Sequence, residues 1–471
     1  MTTIMKTDKA KSFLLINPWI TDFAAYDFWS RPLGLLYLAS LLRAAGHGVS
    51  IINCLDYTLD ASSVPKSARP VRRKYGTGKF IRMEINKPEA LRDIRRKFCR
   101  YGMLAETFRK KLTEMPAPDV ILITSIMTYW YPGIVQTIET VREIFPDAVI
   151  VLGGTYVRLC YEHALSIPGI DYLYRGKLDS FPAFLEGKLN VPIKNCSQWK
   201  DFAHYPFPAF ELWEPKPLNA VAIMTSEGCP FSCPYCASSV LHPRFIRRSP
   251  ESVFEEILYW HKNYGVEDFA FYDDALLVDS ENHIVPILKK VKEAGLNVRF
   301  HTPNAVHVRE LHGKLCELLK ISGFTTLRLG LETVTTQRIV QRDNKIEKGQ
   351  FPWAMENLRK AGFLPSQIGV YLLCGLPFQD PSEVEYSIEV VKEHGGSPYL
   401  AEYSPIPHTK MWEEAVKASP FPIETEPLFH NNTLFPCQCE RFPVSELERL
   451  KRKAREARVA VSNTQLLHHS T

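Results

Sequence analysis

The sequence predicts an α/β protein in two parts, an N-terminal doubly wound parallel sheet followed by a partial (β/α)6 barrel. Short apolar runs of strand length alternate with longer amphipathic stretches along most of the chain, which is typical of parallel sheets covered by helices. A stretch rich in proline and aromatic residues, 190–218, interrupts the alternation once. After this stretch, cysteines and acidic residues directly follow the apolar runs. In barrels of this kind the chemistry lies at the carboxyl ends of the strands.

Length and composition fit a protein of two or three domains with ordinary cores. The chain has 471 residues, of which 45% are hydrophobic and 23% are charged, as is usual for soluble globular proteins. No apolar run is long enough to span a membrane, and the first eleven residues lack the apolar stretch of a secretory signal. We therefore expect a cytoplasmic protein whose cysteines are reduced.

The N-terminal domain is expected over 1–190 and has a Rossmann-like pattern. Its helices are predicted at 33–45 and 133–145, and its strands at 12–17, 49–54, 120–124, 149–152 and 172–174. Proline opens the first helix and glycines follow its end, in agreement with the usual helix boundaries. Ligands of doubly wound sheets bind at the carboxyl ends of the strands, so we expect binding residues in the loops that follow them.

A basic insertion at about 57–117 separates the second strand from the third. Between residues 66 and 111 it carries sixteen Lys or Arg and four Asp or Glu. We interpret this charge as a solvated helix face, because residues 90–100 space their charges around Leu91, Ile94 and Phe98 at helical intervals. Contact with phosphates, nucleic acid or an acidic partner is the alternative.

The second part of the chain predicts six βα units over 219–415, after a linker at 191–218. Strands are expected at 221–225, 268–272, 298–302, 326–331, 368–373 and 399–403, and helices at 250–264, 282–294 and 308–322. Six units make a barrel short of the usual eight. A C-terminal extension, 416–471, contains a charged helix predicted at 444–459, which we expect to cover the open side of the barrel.

Three cysteines in eight residues form the most specific motif of the chain. Cys229, Cys233 and Cys236 have the spacing CxxxCxxC and follow the first barrel strand. Thiolates are the preferred ligands of iron–sulfur clusters and of zinc, and both sites normally take a fourth protein ligand. No second CxxC follows at zinc-ribbon spacing, so a coordination position stays open for a small molecule. A zinc site completed by Cys437 and Cys439 is the alternative.

With these positions the barrel half resembles the radical S-adenosylmethionine (SAM) enzymes, and the first half resembles the cobalamin-binding domain that precedes the barrel in one class of them. The resemblance implies that the three cysteines bind three irons of a [4Fe–4S] cluster and that SAM binds the fourth. One electron, from a donor such as flavodoxin or ferredoxin, then cleaves SAM to methionine and a 5′-deoxyadenosyl radical. This radical abstracts hydrogen from a small-molecule or peptide substrate.

The resemblance also implies contacts to SAM from residues at the ends of successive strands: Tyr235, Asp273, Asp274, Glu332 and Gly375. The tyrosine would pack on the adenosyl group, and the aspartates would contact the amino group. Glu332 would contact the ribose or the amino group, unless it is simply an acidic residue at a helix N-terminus. The glycine would approach adenine by its backbone. His408 replaces glycine in the turn that follows the sixth strand. The sequence identifies no catalytic residue.

For cobalamin the resemblance implies Ser125 after the third strand and Gly153 and Gly154 after the fourth, both near the nucleotide tail. Glycine lets the backbone approach a ligand closely. The loop that supplies a cobalt-ligating histidine in many cobalamin proteins is absent, since no histidine precedes His47. Cobalamin is therefore expected without a histidine ligand, and a domain that keeps only the fold is the alternative.

These implications predict a radical SAM enzyme that most plausibly methylates an unactivated carbon with the help of cobalamin. A radical oxidoreductase, cyclase or rearrangement enzyme on the same frame is the first alternative. A non-catalytic metal-binding or nucleic-acid-binding protein is the second. Methylthiotransferases share the barrel but need three further N-terminal cysteines in cluster spacing and a C-terminal RNA-binding domain, neither of which is evident here. The sequence does not identify the substrate.

Overall fold

The structure, a computed structural model, describes residues 10–193, 196–334 and 349–468. The chain divides into two compact units, Met1–Leu218 and Asn219–Thr471. In the described part of the chain, no helix has both the length and the apolar character needed to cross a membrane.

The first unit contains a five-stranded parallel sheet, as predicted. In spatial order its strands are Tyr172–Tyr174, Val149–Gly153, Val120–Ile123, Ser12–Asn17 and Gly48–Asn53. In chain order this is the 2-1-3-4-5 arrangement of doubly wound folds, in which ligands bind where the winding reverses, between the first and third strands. The α-helices of this unit are Leu33–Ala44, Ala105–Thr113, Tyr131–Ile144, Thr155–Leu159, Tyr161–Leu165 and Phe181–Leu189.

Helices cover both faces of this sheet, because alternate residues of each strand enter different cores. Leu14 and Ile16 pack with the helix Tyr131–Ile144 on one face. Phe13 and Leu15 pack with the helix Leu33–Ala44 on the other face. Apolar residues on both sides of every strand produce the continuous apolar runs from which the sheet was predicted.

The basic insertion forms small antiparallel sheets, and the helix predicted at 90–100 is wrong. Its main sheet pairs Ile20–Asp22, Cys99–Tyr101 and Arg82–Glu84. A second ladder joins Val71–Arg72 to Gly78–Lys79. Phe98, Cys99 and Tyr101 are buried, so pairing with distant strands and the burial of these side chains override the local helical spacing of charges.

The proline-rich stretch packs on the first unit. Val191, Trp199 and Ala209 are buried in one of its cores. The backbone N–H of Ala209 donates to the carbonyl of Leu36 over 3.1 Å, and the Ser40 hydroxyl donates to the carbonyl of Phe207 over 2.6 Å. The finer division predicted above, with a linker at 191–218 and an extension from 416, stays a prediction.

The second unit contains the six predicted parallel strands in sequential order. They are Ala220–Ile223, Asp268–Phe271, Arg299–His301, Phe324–Glu332, Ile368–Cys374 and Ser397–Glu402, and the short strand Val306–His307 pairs beside the fourth. The α-helices are Ser238–Leu241, Pro250–Tyr264, Ile284–Glu293, Gly313–Ile321, Gln350–Lys360, Pro381–Glu393, Trp412–Ala418 and Val444–His468. Sequential parallel order with covering helices is the architecture of a partial barrel.

The last helix, Val444–His468, lies along the sixth strand. Lys451 Nζ is 2.8 Å from Glu402 Oε1 at one end of that strand, and Arg458 Nη1 donates to the carbonyl of Pro398 over 2.7 Å at the other. The helix therefore runs antiparallel to the strand and covers its outer edge, as expected for an extension that covers the open side of the barrel.

Candidate active site

The cysteine loop is closed at its base by a short antiparallel ladder. Ser226–Glu227, just after the first barrel strand, pairs with Ile246–Arg247. Gly228 sits at the start of the loop with φ +85°, and a Cβ there would lie 2.5 Å from the carbonyl oxygen of Arg244. Only glycine satisfies both the positive φ and this close approach. The 18 residues between the two short strands are thus held as one closed loop.

The three cysteines of the loop share one electrostatic environment. Cys233 is buried, whereas Cys229 and Cys236 are partly exposed. Burial, followed by the charges of Asp274, Cys233 and Cys229, raises the pKa of the Cys236 thiol to about 11. The Cys236 sulfur accepts a hydrogen bond from the backbone N–H of Ser238 over 3.4 Å. Thiolates this close together repel one another, and a bound cation relieves such repulsion.

The donor set of the loop fits an iron–sulfur cluster. It offers three soft thiol ligands, which suit iron–sulfur clusters and zinc. Among the residues that the structure describes, no three His, Cys, Asp or Glu side chains converge on a metal position. The fit therefore rests on the chemistry of the donors and on their presence in one closed loop.

Asp273 fastens the start of the cysteine loop to the end of the second strand. Its carboxylate accepts hydrogen bonds from the backbone N–H and the hydroxyl of both Thr225 and Ser226, the hydroxyls over 2.6 Å each. Burial raises the pKa of Asp273, and the four donors oppose this rise. The sequence predicted Asp273 as a SAM contact, but its oxygens are directed at the loop. Its contact with SAM stays a prediction.

His283 extends this network. Its Nε2 lies 2.8 Å from the Thr225 hydroxyl, and that hydroxyl already donates to Asp273. The hydroxyl must therefore accept from His283, which places the imidazole proton on Nε2. Burial, followed by the charge of Arg247, lowers the pKa of His283 to about 4. The imidazole is neutral in this buried chain of His283, Thr225 and Asp273.

A buried ion pair holds the other end of the loop. Arg248 Nη1 donates to Glu256 Oε2, and both side chains are at most 2% exposed. The same guanidinium donates to the carbonyl of Met224 and to Ser252. Sequence reasoning missed this pair. A sequence signal for it existed: Glu256 lies on the apolar face of its helix, with Val253, Ile257 and Trp260, and a carboxylate on an apolar face indicates a buried partner.

Asp274 is directed toward the cysteines. Its Oδ2 accepts a hydrogen bond from the Ser238 hydroxyl over 2.6 Å, and its charge acts on Cys236. Asn304, at the end of the third strand, donates to the carbonyl of Tyr272 over 3.0 Å. The structure therefore gathers the ends of the first three strands around the loop. Tyr235 lies half-buried within it.

Glu332 and Gly375 follow the fourth and fifth strands in unusual conformations. Glu332 has φ +65° after a register shift in its strand, and strained backbone of this kind is concentrated at functional sites. Gly375 has φ +79°, and a Cβ there would lie 2.3 Å from the ring of Phe435. Its N–H donates to Gln379 over 2.8 Å. Contact with Phe435 by itself explains the glycine at 375.

The turn after the sixth strand touches the cysteine loop. The backbone N–H of Met411 donates to the carbonyl of Pro234 over 2.9 Å. His408 is exposed and has φ +68°, so the residue that stands in place of glycine keeps the conformation that glycine favours. The last strand of the barrel thereby supports the loop that follows the first.

In the first unit, Ser125 and the glycine pair lie in direct contact. The Ser125 hydroxyl donates to the carbonyl of Gly153 over 2.7 Å and accepts from the N–H of Tyr156 over 3.2 Å. Gly154 has φ +96°, and a Cβ there would lie 2.4 Å from the Ser125 carbonyl oxygen. The ends of the third and fourth strands therefore form one cradle in which a side chain at 154 has no room.

The neighbouring loop after the first strand is closed by an indole. Trp19 is buried and donates from Nε1 to the carbonyl of Met103 over 2.9 Å, and the Arg100 guanidinium lies 4.8 Å from its ring centre. This loop is thus held by a buried indole and by the arginine beside it, and neither group is a cobalt ligand.

Cys437 and Cys439 differ in exposure. Cys437 is buried, and burial raises the pKa of its thiol to about 12. Cys439 is exposed. In the described part of the chain no metal-binding group of three side chains includes either of them.

Comparison with known proteins agrees with this geometry. Residues 223–391 match the Radical SAM superfamily. The chain is 24% identical to an uncharacterised methyltransferase of Pyrococcus horikoshii, over 82% of this chain and 78% of that protein. It is 21% identical to the cytidylyl-2-hydroxyethylphosphonate methyltransferase of Streptomyces wedmorensis, over 88% of this chain and 83% of that protein.

Solved structures share the fold over most of the chain. The radical SAM methyltransferase TsrM from Kitasatospora setae, with cobalamin and a [4Fe–4S] cluster bound, superposes with a TM-score of 0.59 at 15% identity, covering 88% of this chain and 80% of that one. The cobalamin-dependent SAM radical enzyme OxsB superposes with a TM-score of 0.57 at 11% identity, covering 95% of this chain and 62% of that one. Residues 223–391 therefore form a Radical SAM domain, and the chain has the same fold as the cobalamin-dependent radical SAM proteins TsrM and OxsB.

Proposed function

We propose that the protein binds a [4Fe–4S] cluster, SAM and cobalamin, and methylates an unactivated carbon of its substrate. The observation that carries the proposal is the cysteine loop. It holds three thiols in electrostatic contact at the carboxyl end of the first barrel strand. When bound, the cluster would supply the electron that cleaves SAM to a 5′-deoxyadenosyl radical, and cobalamin would carry the methyl group.

Around the cluster, the residues of this chain divide into ligands and supports. Cys229, Cys233 and Cys236 are the metal ligands. Asp274 faces the thiols through Ser238 and is our candidate contact for the amino group of SAM. Asp273 holds the loop by four hydrogen bonds and acts by positioning.

Three further residues are proposed to contact SAM. Tyr235 lies inside the loop, and Glu332 stands in a strained conformation at the end of the fourth strand. Gly375 is the weakest of the three, because its N–H already donates to Gln379.

Cobalamin is proposed to bind the first unit at the ends of its third and fourth strands. Support comes from the contact of Ser125 with Gly153 and Gly154, which leaves backbone and no side chain facing a ligand. Three of the four proteins compared above are named as methyltransferases, which favours methylation over other radical outcomes. We propose a small-molecule substrate and an electron donor such as flavodoxin or ferredoxin.

Anaerobic reconstitution tests this proposal. We expect the protein to take up iron and sulfide, to retain cobalamin, and to convert SAM to both 5′-deoxyadenosine and S-adenosylhomocysteine under a chemical reductant. Cys229→Ser, Cys233→Ser and Cys236→Ser should each lose the cluster absorption and at least 100-fold of SAM cleavage, because each removes a ligand.

Cys439→Ser is the matched control, since Cys439 is an exposed thiol outside the loop. It should keep wild-type iron content and cleavage rate. A colourless wild-type protein that binds zinc alone would contradict the proposal. Retention of the cluster without cobalamin would contradict the methylation part and leave the radical SAM assignment intact.

A further inference from the structure

Two arginines share one tyrosine ring inside the barrel unit. The guanidinium carbon of Arg328 lies 5.1 Å from the centre of the Tyr399 ring, and that of Arg458 lies 4.6 Å from the same centre. Arg328 comes from the fourth strand and Arg458 from the last helix. The ring of Tyr399 thus stands beside two positive charges, which attract its face and repel each other.

The register of the strands places this cluster on the inner face of the sheet. A Cβ on Gly396 would touch both Val370 and Val391, at 3.0 Å each, so Val370 points outward to the helix Pro381–Glu393. Side chains alternate along a strand, and Gly369 and Tyr371 therefore point inward.

Neighbours in register share a face of a parallel sheet. Arg328 is in register with Gly369, and Tyr399 is in register with Tyr371. Arg328 and Tyr399 therefore point into the barrel together with Tyr371.

The inner face is shaped to hold the Arg328 guanidinium. A Cβ on Gly369 would lie 2.8 Å from Cδ and 2.9 Å from Nε of Arg328, so the glycine makes room for the side chain to cross the fifth strand. Arg328 is hydrogen-bonded to the Tyr371 hydroxyl, which donates to the carbonyl of Pro303 over 3.3 Å. Arg328, Tyr371, Tyr399 and Arg458 are all half-buried, and none is sealed from solvent.

No carboxylate in the described part of the chain forms an ion pair with either arginine. The hydrogen bonds of Arg328 and Arg458 reach the backbone carbonyls of Leu327 and Pro398. The carboxylate of the inner face, Asp268, is already bound by Arg299 over 2.7 Å and by His301 over 2.9 Å. In the described part of the chain, the cluster therefore carries two positive charges without a carboxylate counter-ion. Because these charges are partly removed from water, an anion bound there would form strong charge-assisted hydrogen bonds.

We propose that Arg328, Arg458 and the two tyrosines bind a carboxylate or phosphate group of the substrate. This inference rests on the proposed function and adds the substrate class. Gly369 stands five residues before the end of the fifth strand at Cys374, which is about 16 Å along the strand. The substrate is thus an elongated anionic molecule that anchors low in the barrel and extends toward the cysteine loop.

Binding of inorganic phosphate to the full-length protein tests the anion site without any turnover. Phosphate at constant ionic strength should raise the Tm of the wild type saturably, whereas chloride should not. Arg328→Gln and Arg458→Gln should each weaken the phosphate Kd about tenfold or more, as expected for the loss of a charge-assisted hydrogen bond. Gly369→Ala should also weaken it, because the methyl group displaces the Arg328 guanidinium while its charge remains.

Arg449→Gln is the matched control. Arg449 lies on the same helix but is paired with Glu385 and Glu446, so its loss should leave the phosphate Kd unchanged. The proposal is overturned if phosphate does not stabilise the wild type, or if Arg449→Gln weakens binding as much as Arg328→Gln does. In both cases the proposed function survives if the wild type still cleaves SAM.

A second measurement separates the substrate from SAM, which also carries a carboxylate. Equilibrium dialysis of SAM against the reconstituted enzyme should give the same Kd for the wild type and for Arg328→Gln. A tenfold weaker SAM Kd in the variant, together with competition between phosphate and SAM, would identify the anion as the SAM carboxylate and overturn the proposal.

Discussion

Asp273 and His283 act on the same hydroxyl group, that of Thr225, from opposite sides. This arrangement fixes the direction of the Thr225 hydroxyl proton and the tautomer of the His283 imidazole. The same carboxylate also binds the backbone N–H of Thr225, just before the cysteine loop. Every group in the chain is buried, so each hydrogen bond is protected from competition by water. A carboxylate at the end of the second strand thus holds the start of the cysteine loop, and its contact with SAM stays a prediction.

The neutral state of His283 predicts a pH-dependent contribution to stability. Its pKa is about 4 in the folded protein against an ordinary value of 6.5. The unfolded chain therefore binds the proton more readily, and stability is lost as the pH falls from 6.5 to 4. At 1.36 kcal/mol per unit of pKa shift, the loss amounts to roughly 2–3 kcal/mol.

Chemical denaturation of the metal-free wild type and of His283→Gln across this pH range measures the difference. Glutamine keeps a donor for Thr225 but does not titrate. The stability of the wild type should therefore fall more steeply with acid than that of the variant. Parallel curves would mean that the imidazole is not held neutral in the folded protein.

At the scale of elements, the cysteine loop is defined by the ladder at its base and by Gly228. Gly228→Ala introduces a methyl group 2.5 Å from the Arg244 carbonyl oxygen in a backbone with φ +85°. We expect this change to cost more than about 2 kcal/mol and to reduce the iron content, because strain and overlap add.

Gly265→Ala separates the two causes. Gly265 has φ +67° but no atom within 4 Å of a Cβ, so the substitution should cost about 1 kcal/mol and leave the iron content unchanged. Equal iron loss in the two variants, measured by metal analysis after reconstitution, would show that the ladder does not control the site.

The elements that sequence predicted well are those whose signal is local. The five strands of the first sheet are apolar on both faces and form continuous runs that are visible without any partner. The barrel strands also contain short apolar runs, although the fourth includes Arg328 and the third begins at Arg299. The helix predicted at 90–100 was wrong because Cys99–Tyr101 pairs with Arg82–Glu84 and with Ile20–Asp22. The second of these partners is far away in sequence. Pairing of this kind leaves little trace in local spacing.

In the candidate site, too, the residues with a local sequence signal were predicted and those that depend on distant contacts were not. The cysteines and Asp274 follow strands directly, and their position is fixed by the order of the strands. The buried ion pair of Arg248 and Glu256 was not predicted, because it joins a loop residue to a residue on a helix face and local spacing does not reveal such a contact. The Arg328–Tyr399–Arg458 cluster joins a strand to a helix more than 120 residues away, which no motif reveals.

For the whole molecule, an open barrel has two edge strands, and in the described part of the chain these are the first strand and the sixth, which is the last in the sheet and has a free edge. Unpaired strand edges invite association with other chains. The last helix covers this edge with Leu447, Leu450, Ala454, Ala457 and Val461, which are all buried. Lys451 and Arg458 attach it at both ends of the strand, and Arg458 also reaches the inner face. The helix therefore combines structural cover with one wall of the proposed anion site.

Removal of this helix tests its role as an edge cover. A chain ending at Pro443 should expose the outer edge of Ser397–Glu402 and the apolar groups beneath the helix, and should form larger species than the full chain in light scattering. Leu450→Ala, at a fully buried position, should cost about 2–4 kcal/mol without opening the edge. Arg452→Ala, on the exposed side of the helix, should cost almost nothing. A truncated chain with the same molar mass distribution as the full chain would show that the edge of the sixth strand is protected by something other than this helix.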